Sequence, residues 1–147
     1  MECLEITAGQ GKVGEKACVK ILRKLRTDWK KFDIIMWKLS DNSWAGYSIQ
    51  NSQEKLFIKI FKEELEARNQ TDKHKLFAEN SLSPPLVSSF KNGYVTEYMP
   101  GVSPAPTSLL ESTVYPHIAR AVGSMHRKLT SQAPAPPNIN MFETLAH

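Results

Sequence analysis

The chain has 147 residues, the size of one ordinary domain, and 41% of them are hydrophobic, enough for a core. No run approaches the ~20 apolar residues that cross a bilayer, which excludes a transmembrane segment, and Met1-Glu2-Cys3-Leu4-Glu5 carries acid where a secretory leader needs base. A net charge of +4 without interleaved aromatics argues against nucleic acid, and Cys3 and Cys18 are expected as reduced thiols of a cytoplasmic protein.

In chain order, residues 1–14 read as a flexible tail, although Gly9-Gln10-Gly11-Lys12-Val13-Gly14 matches G-x-G-x-x-G and Asp33 comes about twenty residues on. A dinucleotide fingerprint needs a strand-helix-strand unit in a parallel sheet, and the later strands of this chain read as hairpins. Cys18, Ile21, Leu22 and Leu25 recur at i, i+3, i+4 and i+7, so an amphipathic helix lies here with Lys20, Arg23, Lys24 and Arg26 on its polar side. Its basic face is first a solvated surface, and second a contact for anionic membrane.

Two strands are expected next, Asp33 to Leu39 and Ala45 to Ile49, joined by Ser40-Asp41-Asn42-Ser43-Trp44. A third strand, Leu56-Phe57-Ile58-Lys59-Ile60-Phe61, alternates Leu56, Ile58 and Ile60 against Phe57, Lys59 and Phe61. A polar helix over Glu63 to Asn80 leads into a hairpin, Pro84 to Phe90 and Tyr94 to Met99, turning at Lys91-Asn92-Gly93. After Pro100-Gly101 comes an extended connector, Val102 to Thr107, then a helix from Leu110 to Leu129 carrying Val114, Ile118, Ala121, Val122 and Met125 at helical spacing. His126, near its end, is expected as a structural histidine, and no zinc set surrounds it. Ser131 to Asn138 is proline-rich and cannot be helical.

Strand, helix, hairpin and Pro-Gly exit is the order of a kinase small lobe. The chain resembles the N-terminal lobe of the choline/ethanolamine kinase family, and more closely the ethanolamine kinases, through Ile21 to Trp29, Leu39-Ser40-Asp41, Leu56 to Phe61, Ala78 to Pro84, Phe90 to Gly93, Glu97 to Gly101, Ile118-Ala119-Arg120 and Met125-His126. The fold class expected is therefore α+β: a protein-kinase-like small lobe, with an antiparallel sheet of about five strands, one packed helix of the kind called αC in kinases, and flanking helices. The organisation expected is a tail over 1–14, a lobe with its leading helix over 15–101, and over 102–147 a linker, the first large-lobe helix and a proline-rich end, with truncation before the large lobe.

The resemblance implies ATP and Mg²⁺ as cofactors. Ser40, Asp41 and Asn42 stand at the phosphate turn, where the family pattern has glycine at the place of Asn42, and Trp44 adds bulk beside it. Lys59 is the strand cation that would hold phosphates, where the family usually has arginine, and Gln70 occupies the helix position of its acidic partner; Glu66 lies one turn earlier. The backbone of Glu97, Tyr98 and Met99 would hold the adenine edge, with Ile58 and Met99 as apolar walls. Each has a plainer reading: a lysine stem over apolar surface, solvated helix acids, an edge strand entering a linker. Catalytic Asp and Asn and the metal-binding Asp of the resemblance would lie in the large lobe, so none is assigned in this chain.

Three functions are open. The first is a truncated ethanolamine kinase-like protein, inactive alone, whose full form phosphorylates ethanolamine for phosphatidylethanolamine and phospholipid biosynthesis; ethanolamine and choline are not distinguished here. The second is a non-catalytic kinase-like binding or regulatory protein with weak or absent nucleotide affinity, paired with a complete kinase relative. The third is a basic amphipathic module for anionic surfaces. Apolar large-lobe helices would leave an exposed patch and a tendency to associate.

Overall fold

The computed structural model describes residues 3–4, 11–101 and 104–132. Its elements run β1 (Cys3–Leu4), α1 (Gly11–Leu25), a 3₁₀ turn (Lys31–Asp33), β2 (Ile34–Ser40), β3 (Ser43–Ser48), β4 (Asn51–Ile60), α2 (Glu64–Glu79), β5 (Leu86–Phe90), β6 (Gly93–Glu97), a second 3₁₀ turn (Pro106–Leu110) and α3 (Tyr115–Gln132). Five strands form an antiparallel sheet in the order β5-β6-β4-β3-β2, and the two-residue β1 joins its β5 edge in parallel. This is the α+β small-lobe arrangement anticipated from the sequence.

Of the expected tail, residues 5–10 lie outside the described ones, while Cys3–Leu4 form β1 and Gly11 to Gly14 open α1. The glycine motif thus enters a helix, but α1 leads to β2 on the far edge of the sheet rather than to a parallel neighbour of β1, so no dinucleotide-binding crossover exists here. Of the segment Ser131 to Asn138, expected as non-helical, Ser131 and Gln132 are instead the last residues of α3, because the first proline comes only at Pro134, and residues 133–138 lie outside the described ones.

The two faces of the sheet serve different purposes, and β4 shows how the sequence divides them. Successive side chains of a strand point to opposite faces. Leu56, Ile58 and Ile60 are fully buried on one face, where they meet Trp44, Val95 and Phe90 from neighbouring strands and Cys18, Ile21, Leu22 and Trp29 from the α1 region. Each such aliphatic side chain contributes about 1.5–3 kcal/mol by leaving water. Arg26, just past α1, is clamped to β4 by its Nε donating to Glu54 Oε1 at 2.6 Å. The opposite face carries Phe57 and Lys59 beside Thr96 and Tyr94, and there α2 packs over β5 and β6.

Two glycines hold these layers at close range. A Cβ at Gly46 would collide with Met36 Sδ and press on Leu22, and one at Gly93 would collide with the Lys59 carbonyl and the Phe90 ring. Gly93 is therefore needed for close strand approach. The left-handed turn that an Asn-Gly pair favours is not what it supplies: neither residue has positive φ, and Ser81, at φ 58°, is the non-glycine residue that does among those described.

Residues 104–132 belong to a second compact unit that begins at Val102. The single helix expected from Leu110 is instead a 3₁₀ turn ending at Leu110 and α3 starting at Tyr115. Pro116 explains the split, because a proline fits the first turn of a helix but clashes with the carbonyl four residues back in its interior. With α3 running to Gln132, His126 to Lys128 sit more than a turn before its end. Tyr115, Ile118 and Val122 are exposed on α3.

Candidate functional site

The face of β4 that carries Lys59 borders two concavities within residues 38–101. The first, about 330 Å³, is walled by Phe57 of β4, Leu39 of β2, Tyr94 and Thr96 of β6, and Tyr98 and Met99 beyond it. His74 closes one end: its Nε2 donates to the Pro84 carbonyl at 2.8 Å and its ring lies 5.1 Å from that of Tyr94. Burial pushes the Tyr94 phenol above its usual pKa. Tyr98 is in turn met edge-on by Trp37, which does not line the slot, at 5.5 Å between ring centres. The result is an apolar, aromatic slot of the kind that accepts a flat ring.

The second concavity, about 580 Å³, lies at the turn between β2 and β3 and is lined by Ser40, Asp41, Asn42, Lys38, Lys62 and Glu66. Here Lys59 Nζ donates to Asn42 Oδ1 at 3.2 Å, and Ser40 Oγ donates to the same oxygen at 2.9 Å. The backbone is sutured as well, with the Ile60 N–H donating to the Asn42 carbonyl at 2.7 Å. Lys38 pairs with Asp41 at 3.4 Å on the surface. Asn42 has no positive φ, so the left-handed conformation that an asparagine at a glycine place suggests is not adopted.

The sequence-named residues divide three ways. Ser40, Asn42 and Lys59 are brought into direct contact, and Asp41 borders the same concavity. Glu97, Tyr98 and Met99 line the aromatic slot, but the N–H groups of Glu97 and Tyr98 already donate to the carbonyls of Pro85 and Lys55, at 3.1 and 2.9 Å. Met99, 66% exposed, makes none of the backbone hydrogen bonds found among the described residues. Gln70 is half-buried on α2 and forms no hydrogen bond with Lys59, and Glu66 makes no ion pair with it.

Two expectations are corrected. Ile58 is not a wall of the slot: it is 0% exposed in the core beneath α1, and Phe57, on the other side of the strand, takes that place. Strand alternation dictates this, since Phe57 and Lys59 share a face and Ile58 cannot join them. Trp44 does not crowd the approach to the phosphate turn either. It is 2% exposed, paired across the sheet with Ile58 and packed in the same core. His74 and Tyr94 are the residues that sequence reasoning misses; His74 lies one turn beyond Gln70 on the same side of α2, which is the available signal.

Mg²⁺, implied by the resemblance, finds no matching ligand set here: among the described residues no three His, Cys, Asp or Glu side chains converge, and Asp41 is engaged with Lys38.

An antiparallel sheet with one helix beside a lysine-bearing central strand, an aromatic slot at the strand leading out, and a hydrogen-bonded turn above the lysine define a kinase-type small lobe. Comparison with known proteins makes the class specific. The family model described as choline/ethanolamine kinase matches residues 34–146, and the chain belongs to that family. The chain is similar to a protein named ethanolamine kinase from Drosophila melanogaster, with 31% identity over 88 residues, which is 57% of this chain and 17% of that relative's length. The chain thus spans under a fifth of the curated relative it matches. No solved structure matches.

Proposed function

We propose that this chain is the nucleotide-holding small lobe of an ethanolamine kinase-type phosphotransferase, and that residues 1–147 by themselves bind ATP but transfer no phosphoryl group. The observation that carries the reading is the arrangement around β4: Phe57 facing an aromatic slot, and two residues on, Lys59 beneath the turn of Ser40 to Asn42. A flat base fits the slot, with the Met99 N–H as donor to its edge. The triphosphate would extend toward the turn, where Lys59 supplies positive charge and Lys62 stands nearby. Phosphoryl transfer needs a group to orient the acceptor hydroxyl and metal charge on the leaving oxygens, and among the described residues no group of three or more His, Cys, Asp or Glu side chains could hold that metal. In the whole protein those groups come from elsewhere, the acceptor is ethanolamine, and the product feeds phospholipid synthesis in the cytoplasm.

A second reading, binding or regulation without transfer in company with a complete kinase, draws on Lys59 being held by an uncharged amide. Calorimetric titration with ATP, alongside an assay of ethanolamine-dependent ATP consumption, tests both. Saturable ATP binding without turnover is expected. A folded chain that fails to bind ATP overturns the nucleotide role, and turnover by these 147 residues overturns the claim that they are insufficient.

A further inference from the structure

A lysine that grips phosphates must be aimed, and a long side chain with four rotatable bonds does not aim itself. On α2, which packs on the lysine's face of the sheet, Glu66 borders the same concavity and Gln70 is half-buried, and neither is bonded to the lysine. We propose that Asn42 is the residue that positions Lys59, doing from the phosphate turn what an acid on the packed helix would otherwise do. This rests on the nucleotide reading above and deepens it.

Three features argue for a built arrangement. The Asn42 amide is itself oriented, because Ser40 Oγ donates to Oδ1 at 2.9 Å, leaving that oxygen turned toward the Lys59 ammonium at 3.2 Å. Ser40 is in turn bonded to Ser43, which sits opposite Lys59 in the β3–β4 register. Finally, the Asn42 carbonyl accepts from the Ile60 N–H, so the residue's position is fixed by the backbone whatever its side chain does.

The chemistry differs from that of an acidic partner. A carboxylate beside the ammonium would cancel much of the field a phosphate feels, whereas an amide oxygen orients the cation and leaves its full charge available. The arrangement also ties the lysine to the turn that would close over the phosphates, so turn and cation move together.

The test uses the whole chain with ATP, adenosine and an amine-methylating reagent. Because the Ile60–Asn42 backbone bond persists, Asn42→Ala should keep the thermal midpoint within a few degrees, which is checked first. ATP affinity should then fall about tenfold, the order of one charge-assisted hydrogen bond, while adenosine affinity changes less. Asn42→Asp, which keeps a hold on Lys59 but sets a negative charge beside the phosphates, should also favour adenosine over ATP. In the absence of nucleotide, Lys59 in Asn42→Ala should be methylated several-fold faster, as read by peptide mass. Equal methylation rates in the two proteins, or a larger loss of ATP affinity from Gln70→Ala than from Asn42→Ala, would overturn the proposal. Absence of ATP binding by the unaltered protein would sink the nucleotide reading instead, and the methylation rates would still decide whether Asn42 holds the lysine.

Discussion

Cys18 illustrates how a single residue carries the α1 packing into solution behaviour. It is 0% exposed, and burial, with the Glu15 carboxylate adding to it, pushes its thiol up to about 12 from 9.0. The folded state therefore keeps the proton that the unfolded chain gives up above pH 9, so its stabilising contribution is complete below that pH and is lost as pH rises toward 12. Urea midpoints measured from pH 8 to 11 should fall faster for the unaltered protein than for Cys18→Ala, which lacks this titration. Tyr94 shifts in the same direction and would contribute in both proteins. The residue scale is also where sequence reading falls short. The alternation in β4 is plain, yet apolar character alone suggests Ile58 as an adenine wall, and the fold buries it on the other face. Alternation already sets Ile58 on the face opposite Lys59; what it does not settle is which of the two faces meets α1 and which meets α2.

At the scale of elements, the hairpin of β5 and β6 and the amphipathic α1 are legible from Asn92-Gly93 and from the Cys18, Ile21, Leu22 stripe. The two-residue β1 is not, since its partner β5 lies more than eighty residues away and two residues carry no period. The end of α2 is found where the sequence places it, with Asn80 as its C-cap, although the residue that closes the turn is not the usual one. The helix closes with the Leu82 N–H donating to the Phe77 carbonyl at 2.8 Å and the Ser81 N–H to that of Ala78 at 3.0 Å, the pattern that usually recruits a glycine, but here serine takes the left-handed position at φ 58°. That conformation is strained for an L-residue, so Ser81→Gly should raise stability by about 0.5–1 kcal/mol, read as a higher denaturant midpoint at unchanged slope. A lower midpoint would show that the serine side chain contributes more than its backbone costs.

For the molecule as a whole, every buried hydrophobic residue among those described lies between Cys18 and Val95, inside the unit that ends at Gly101. A chain stopped at Gly101 should therefore still unfold in one cooperative transition by circular dichroism; a broad, sloping melt would show that the core is incomplete without the second unit. The candidate site is half legible at this scale. Lys59 and the Ser40 to Asn42 turn are found from their place in the order of elements, whereas the contact between them is not, because a side chain reaching across two strands leaves no trace in local spacing.

Trp29 closes the core at the end of α1, and its indole N–H is the one buried side-chain polar group without a hydrogen-bond partner among the described residues. An excited indole with neither water nor an acceptor around it cannot relax its enlarged dipole, so Trp29 emits toward the blue. Trp44, in the same core, is equally shielded, while Trp37 stands beside the slot against Tyr98. The protein thus carries its own optical gauge: two tryptophans whose colour reports whether the core is shut.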